Sequence, residues 1–217
     1  MPDHARARLN MVESQIRTNK VTDPALLAAF TEVPREMFLE PSLHGVAYVD
    51  DDLPLRSGRF LMEPMVLARL IQALALHATD RVLDVGCASG YATTILARLA
   101  GRVVALESDR ALAATARRNL AGLSRDIVVE EGPLDQGSAK HAPFDAILIE
   151  GKVAEVPKSL FDQLAPGGRL TAVVDDGGVT GRAMLFQKAG DVIARRALFD
   201  ANTPMLPDFM PHAHFVF

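Results

Sequence analysis

Cysteine is nearly absent from this chain. The single Cys87 leaves no internal disulfide framework and fits a reducing compartment. Positive charge is not in excess either: 23 Lys and Arg stand against 27 Asp and Glu, a net charge of −4 and a pI near 5.9, which excludes a generic electrostatic grip on nucleic acid. No run approaches the roughly eighteen uncharged apolar residues of a membrane span, so no membrane association is expected. The opening MPDHARARLNMVESQIR carries arginines, as transit peptides do, but Asp3, Glu13 and the lack of an apolar segment make it a folded helix. There is no internal repeat and no low-complexity tract. What remains, 217 residues with 49% hydrophobic and 23% charged, suits one domain with a sizeable core in a soluble, cytoplasmic protein.

Periodicity divides the chain in two. Leu9, Val12 and Ile16 recur at helical spacing, and VTDPALLAAF predicts a second helix with Asp23 as N-cap and Pro24 in its first turn. Residues 33–62 are irregular, and Leu67, Leu70, Ile71 and Leu74 then share one helical face. From Arg81 onward short apolar runs alternate with helical patterns. Strands are expected at 81–85, 102–106, 126–130, 144–149 and 168–174, and helices at 90–100, 109–121 and 157–164. That alternation indicates an α/β sandwich around a mostly parallel sheet. Beyond residue 178 two strands are expected to meet in a hairpin at Ala189-Gly190-Asp191, then a proline-punctuated loop and HFVF as an edge strand. The division is therefore a helical segment at 1–78 and an α/β core at 79–217, within one domain.

The chemistry concentrates in VLDVGCASGYATTILARLAGRVVALESD. A strand running into a glycine turn and a helix aims backbone N–H groups at one spot beyond the sheet's carboxyl end. The turn is G-x-x-x-G, Gly86 to Gly90, without the middle glycine that lets backbone approach a dinucleotide pyrophosphate. Asp84 precedes it, which suits a ligand bearing an ammonium group and a small carboxylate. S-adenosylmethionine has both. Glu107 closes the next strand, where an acid accepts from both ribose hydroxyls. Glu131 and Gly132 stand near the adenine, and FDAILIEG ends facing the methionine end.

MVESQIR, VPREMF and AYVDDDLPL, preceding the glycine turn in that order, resemble the protein-L-isoaspartate O-methyltransferase family, as does FDAILIEGKVAEVPKSLFDQLAPGGRL. The resemblance runs from about residue 9 to 175. It implies a Rossmann-like, seven-stranded class I methyltransferase sheet with antiparallel C-terminal strands. It also implies methyl transfer from S-adenosylmethionine to the α-carboxyl of an isoaspartyl residue in a protein or peptide, the first step of protein repair. By the same resemblance Asp84, Gly86, Gly90, Glu107, Glu131 and Gly132 match the cofactor-binding motifs. The acceptor carboxylate is already ionised near neutral pH, so the site needs positioning rather than a general base.

Two segments depart from the family. GRFLMEPM stands where the family has Gln-Thr-Ile-Ser-x-Pro, placing Arg59 at the glutamine and Met62 at the serine where methyl transfer occurs. Methionine cannot donate a hydrogen bond. Arg59 either grips the acceptor carboxylate bidentately or pairs with an acid at 50–52 or Glu63. The C-terminal ANTPMLPDFMPHAHFVF also differs from the family's usual ending. The alternatives are the same cofactor with a different acceptor, such as a small carboxylate, and a non-catalytic S-adenosylmethionine-binding protein. Elsewhere Cys87 reads as structural, His212 and His214 do not make a metal site, Met62 and Met65 line the pocket or core, and the loop at 175–178 follows the fifth strand.

Overall fold

The computed structural model describes residues 3–175, 177–178 and 180–210. Helix α1 (His4–Met11) is capped by the Asp3 side chain, which accepts from Arg6 N at 3.0 Å, and runs on through a π turn at Val12–Ile16. Val12 and Ile16 are buried as the spacing predicts, but Leu9 is 49% exposed and Met11 takes its place. The wider π turn brings Met11 and Ile16, five residues apart, onto one face and leaves Leu9 on the flank. In α2 (Pro24–Glu32) the expected cap is present: Asp23 accepts from Ala25 N and Leu26 N at 2.8 and 3.1 Å.

The irregular stretch from residue 33 holds two 3-10 turns and a short hairpin, β1 (Leu53–Pro54) against β2 (Phe60–Leu61). Ser57 and Gly58 both have positive φ, 55° and 70°, the sign pattern of a type I′ turn. Helix α3 (Pro64–Leu74) follows and buries Leu67, Leu70, Ile71 and Leu74 completely, as their spacing predicts.

Among the described residues one seven-stranded sheet organises the rest. It comprises β3 (Arg81–Val85), β4 (Arg102–Glu107), β5 (Ile127–Glu131), β6 (Phe144–Val153), β7 (Leu164–Val174), β8 (Gly181–Ala189) and β9 (Val192–Ala201). The order is β5-β4-β3-β6-β7-β8-β9; β3 to β7 run parallel, and β8 pairs antiparallel with both β7 and β9. Both faces are covered, so alternate residues of one strand enter different cores. Val82, Ala146 and Leu148 join the N-terminal helices; Leu83, Val85, Ile147 and Ile149 pack beneath the other layer. This is the α/β architecture the alternating pattern predicts.

Helices α4 (Tyr91–Leu99) and α5 (Arg110–Leu120) lie where expected, whereas α6 is only Lys158–Asp162. The chain leaves α6 early because Leu164 already pairs with Phe144, and the ladder bulges through residues 165–168 before resuming at Arg169. The predicted hairpin forms, with Ala189 opposite Val192. The HFVF strand, His212 and His214 lie outside the described residues. No helix among the described residues is long and apolar enough to cross a membrane.

Connections leave β3 and β6 toward opposite sides of the sheet, so a crevice opens beyond their carboxyl ends. That switch point is where open α/β sheets take ligands.

Candidate functional site

The glycine turn closes tightly against β4. Gly86 N and Cys87 N both donate to Leu106 O, at 2.8 and 3.1 Å, so these amides serve the sheet rather than a ligand. Gly86 and Gly90 have φ of 84° and 95°, and Ala88 also turns left-handed at 49°, a conformation that disfavours a side chain by about 1–2 kcal/mol. Ala88 N then points at Glu107 and donates to its Oε2 at 2.7 Å. Cys87 is fully buried, and desolvation beside carboxylates pushes its thiol well up, which is inert chemistry for a nucleophile.

Three acids converge on the crevice: Asp84 and Glu107 are wholly buried, and Glu150 is nearly so. Asp84, near the end of β3, and Glu150, on β6, stand at the switch point, where Asp84 Oδ1 and Glu150 Oε1 are buried and accept no hydrogen bond from the described residues, while Asp84 Oδ2 accepts from Thr93 Oγ1 at 2.6 Å. Burial raises Asp84 to about 6 and Glu150 well above the usual carboxylate range. The two carboxyls are coupled, and burial disfavours ionising both.

Glu107 has a resident partner. Arg59 Nη1 donates to its Oε1 at 2.5 Å and Nη2 donates to Gly86 O at 2.7 Å, with the two side chains 2% and 0% exposed. Glu107 Oε1 also accepts from Asp109 N at 3.0 Å. In this arrangement the Arg59 guanidinium pairs with Glu107, and among the described residues with no acid at 50–52 nor with Glu63. The type I′ turn decides this, because it delivers residue 59 across the glycine turn. Glu63 is left among Asp50, Asp51 and Asp52, and burial together with those charges pushes it up to about 7.

Met62 is 2% exposed in the core. Its carbonyl accepts from Arg35 Nη2 at 2.8 Å, and Arg35, fully buried, lies 4.9 Å over the Tyr91 ring. Met62 shares with Glu150, Phe60 and Leu206 a cavity of only about 10 Å³, the space of one water at most.

The C-terminal segment closes the crevice from outside. Lys152 N donates to Pro204 O at 2.9 Å, and Leu206 N donates to Lys152 O at 2.8 Å. Thr203 Oγ1 donates to Asp52 at 3.1 Å, and Asp208 accepts from Ser108 Oγ and Leu134 N at 3.1 and 3.2 Å. The segment read from sequence as a loop therefore crosses the carboxyl end of the sheet from β6 to β4.

Of the residues singled out in the sequence, the fold brings Arg59, Asp84, Gly86 and Glu107 into one buried network. Gly90 opens α4, and Gly132 N donates to Glu107 O at 3.1 Å. Glu131 is exposed at the end of β5, apart from the network. Sequence reasoning missed Glu150, Thr93, Arg35 and the C-terminal segment. Glu150 did leave a signal, an acid closing the apolar run AILI. A larger groove of about 580 Å³ is lined by Phe38, Leu43, Ser89 of the glycine turn, and Leu112 and Asn119 of α5.

The acids suit S-adenosylmethionine in charge, since buried carboxyls at Asp84 and Glu150 complement a sulfonium or ammonium group. In this arrangement the carboxylate at the end of β4 is already engaged by Arg59 and two backbone amides, and the guanidinium lies against bare Gly86, where a Cβ would come within 2.7 Å of Nη2.

A family model described as Protein-L-isoaspartate(D-aspartate) O-methyltransferase matches residues 6–200. The protein-L-isoaspartate O-methyltransferase of Methylorubrum extorquens (strain PA1) is 42% identical over 174 residues, covering 80% of this chain and 76% of that protein. That of Methanoculleus marisnigri is 40% identical and covers 78% and 77%. Among solved structures, a protein-L-isoaspartate O-methyltransferase superposes with a TM-score of 0.79 at 24% identity, over 92% of this chain and 65% of the other. A Plasmodium falciparum protein assigned to the same activity, in complex with S-adenosyl-L-homocysteine, gives 0.78 at 20% identity, over 96% and 100%. The two structures share this fold.

Proposed function

The chain belongs to the protein-L-isoaspartate O-methyltransferase family, and on that premise we propose that it methylates the α-carboxylate of L-isoaspartyl residues in proteins or peptides, with S-adenosylmethionine as methyl donor, in protein repair. The observation that carries this reading is the reach of the family match: residues 6–200 take in the N-terminal segment as well as the crevice-bearing sheet.

The cofactor supplies an electrophilic methyl group. The residues of this chain supply charge and shape. Asp84 and Glu150 offer buried carboxyl oxygens at the switch point, and no base is required because the acceptor is already a carboxylate. In this reading Gly86, Gly90, Glu107, Glu131 and Gly132 bound the cofactor side, and Arg59 and Met62 belong to the segment facing the acceptor. Met62 bounds that end by shape, having no hydrogen to donate. The helical segment through residue 78 completes the acceptor side of the 79–217 core within one domain. The acidic net charge and single buried cysteine support a cytoplasmic protein.

A second reading, the same transfer to a different carboxylate, is favoured by one observation. Met62 and Glu150 line a cavity of only about 10 Å³. The deciding experiment incubates the protein and methyl-labelled S-adenosylmethionine with an isoaspartyl peptide and its aspartyl twin. Base-labile label on the isoaspartyl peptide alone is expected. No ester on that peptide, under conditions where S-adenosylhomocysteine binds, would leave a different acceptor or a non-catalytic binder.

A further inference from the structure

We propose that Arg59 sets the affinity of this protein for its cofactor by occupying the ribose position itself, so that the cofactor is admitted only when the β1–β2 hairpin draws the guanidinium out. The inference rests on the cofactor reading above and adds a residue to it.

A ribose bound at the end of β4 presents its hydroxyls to the carboxylate there. Each carboxylate oxygen accepts about two hydrogen bonds. Glu107 Oε1 already accepts from Arg59 Nη1 and Asp109 N, and Oε2 accepts from Ala88 N, which leaves one position for two hydroxyls. The bare face of Gly86, which would otherwise receive the ligand, receives Nη2. Charge makes this occupant a firm one, because a guanidinium and a carboxylate with almost no exposure attract strongly and neither can be left alone.

The guanidinium is held from two directions. At the hairpin tip Ser57 Oγ donates to Asp109 Oδ2 at 2.5 Å, and Arg56 lies 3.5 Å from the same oxygen. Behind the tip, Pro207 of the C-terminal segment packs against Gly58, and Asp208 ties that segment to Ser108 and Leu134. Opening the ribose position thus requires hairpin and segment to move together, and Asp208 is the contact that fastens the outer layer.

The test measures binding of S-adenosylhomocysteine to the full chain by calorimetry and stopped-flow, for wild type, Arg59→Gln and Asp208→Ala. If the open form is about one molecule in ten or fewer, Arg59→Gln lowers the apparent Kd about tenfold or more. The wild-type observed rate levels off as ligand rises, because opening limits it. The Arg59→Gln rate climbs linearly, and Asp208→Ala raises the wild-type ceiling. A folded Arg59→Gln that binds no more tightly than wild type overturns the proposal, as does a linear wild-type rate. Should Arg59→Gln not fold, an unchanged ceiling in Asp208→Ala overturns it. Equal binding by all three with isoaspartyl methylation intact removes only the role of Arg59; binding by none removes the cofactor reading as well.

Discussion

Replacing Glu150 by Gln separates the charge of the crevice from its shape. The amide keeps the size of the carboxyl and can donate to Asp84, but it no longer titrates. In the wild type, burial and Asp84 hold the Glu150 carboxyl well above its usual 4.5. The folded protein therefore keeps a proton that the unfolded chain releases above about pH 4.5. Folding takes that proton up, so its contribution to stability is complete below the unfolded value and is lost as pH rises toward the folded one. One proton corresponds to a slope of about 1.4 kcal/mol per pH unit. As pH rises above about 4.5 the wild type should lose stability relative to Glu150→Gln, by up to that slope. For a chain of this length that is a relative Tm change on the order of 3–6 °C per pH unit. Urea unfolding of both proteins at three pH values measures it. If the difference in stability between the two proteins does not change with pH, burial does not raise the Glu150 carboxyl and the reasoning is wrong.

Two more outcomes follow from other buried charges. Glu63, half-buried among three aspartates and pushed up to about 7, prefers its protonated form in the folded state, so its contribution is lost as pH rises from about 4.5 through 7. Glu63→Gln should gain thermal stability on wild type across that range and hold a constant advantage above it; an advantage that shrinks with pH would refute the assignment. Arg35→Met removes the donors to Ala47 O and Met62 O, at 2.9 and 2.8 Å, and should cost about 3 kcal/mol or more in chemical unfolding. A loss under about 1 kcal/mol would show that those carbonyls find other partners.

Much of the sheet was legible because its central strands are buried on both faces and must be continuous apolar runs. Residues 81–85 read as a strand and are one, and Asp23-Pro24 starts a helix for reasons contained in two residues. The elements that strayed were governed by pairing over longer distances. The helix expected at 157–164 stops at Asp162 because Leu164 is claimed by Phe144, and Leu9 lost its buried place to Met11 through a π turn that periodicity does not announce. In the crevice the residue types were readable one at a time. Asp84, Gly86 and Glu107 each stand at a strand end, where a local pattern locates them.

What the sequence by itself determined is the layered α/β fold and the identity of the groups at its carboxyl edge, since local periodicity and strand-end position need no knowledge of distant partners. What only the tertiary structure decided is who touches whom. Arg59 reaches Glu107 across 48 residues, and Asp208 reaches Ser108 across 100. Asp84 and Glu150 perturb each other because β3 and β6 lie side by side. The physical reason is that a charge removed from water must find its partner in space, and several partners on the chain could serve. Burial and backbone geometry, here a two-residue turn at Ser57 and Gly58, choose among them.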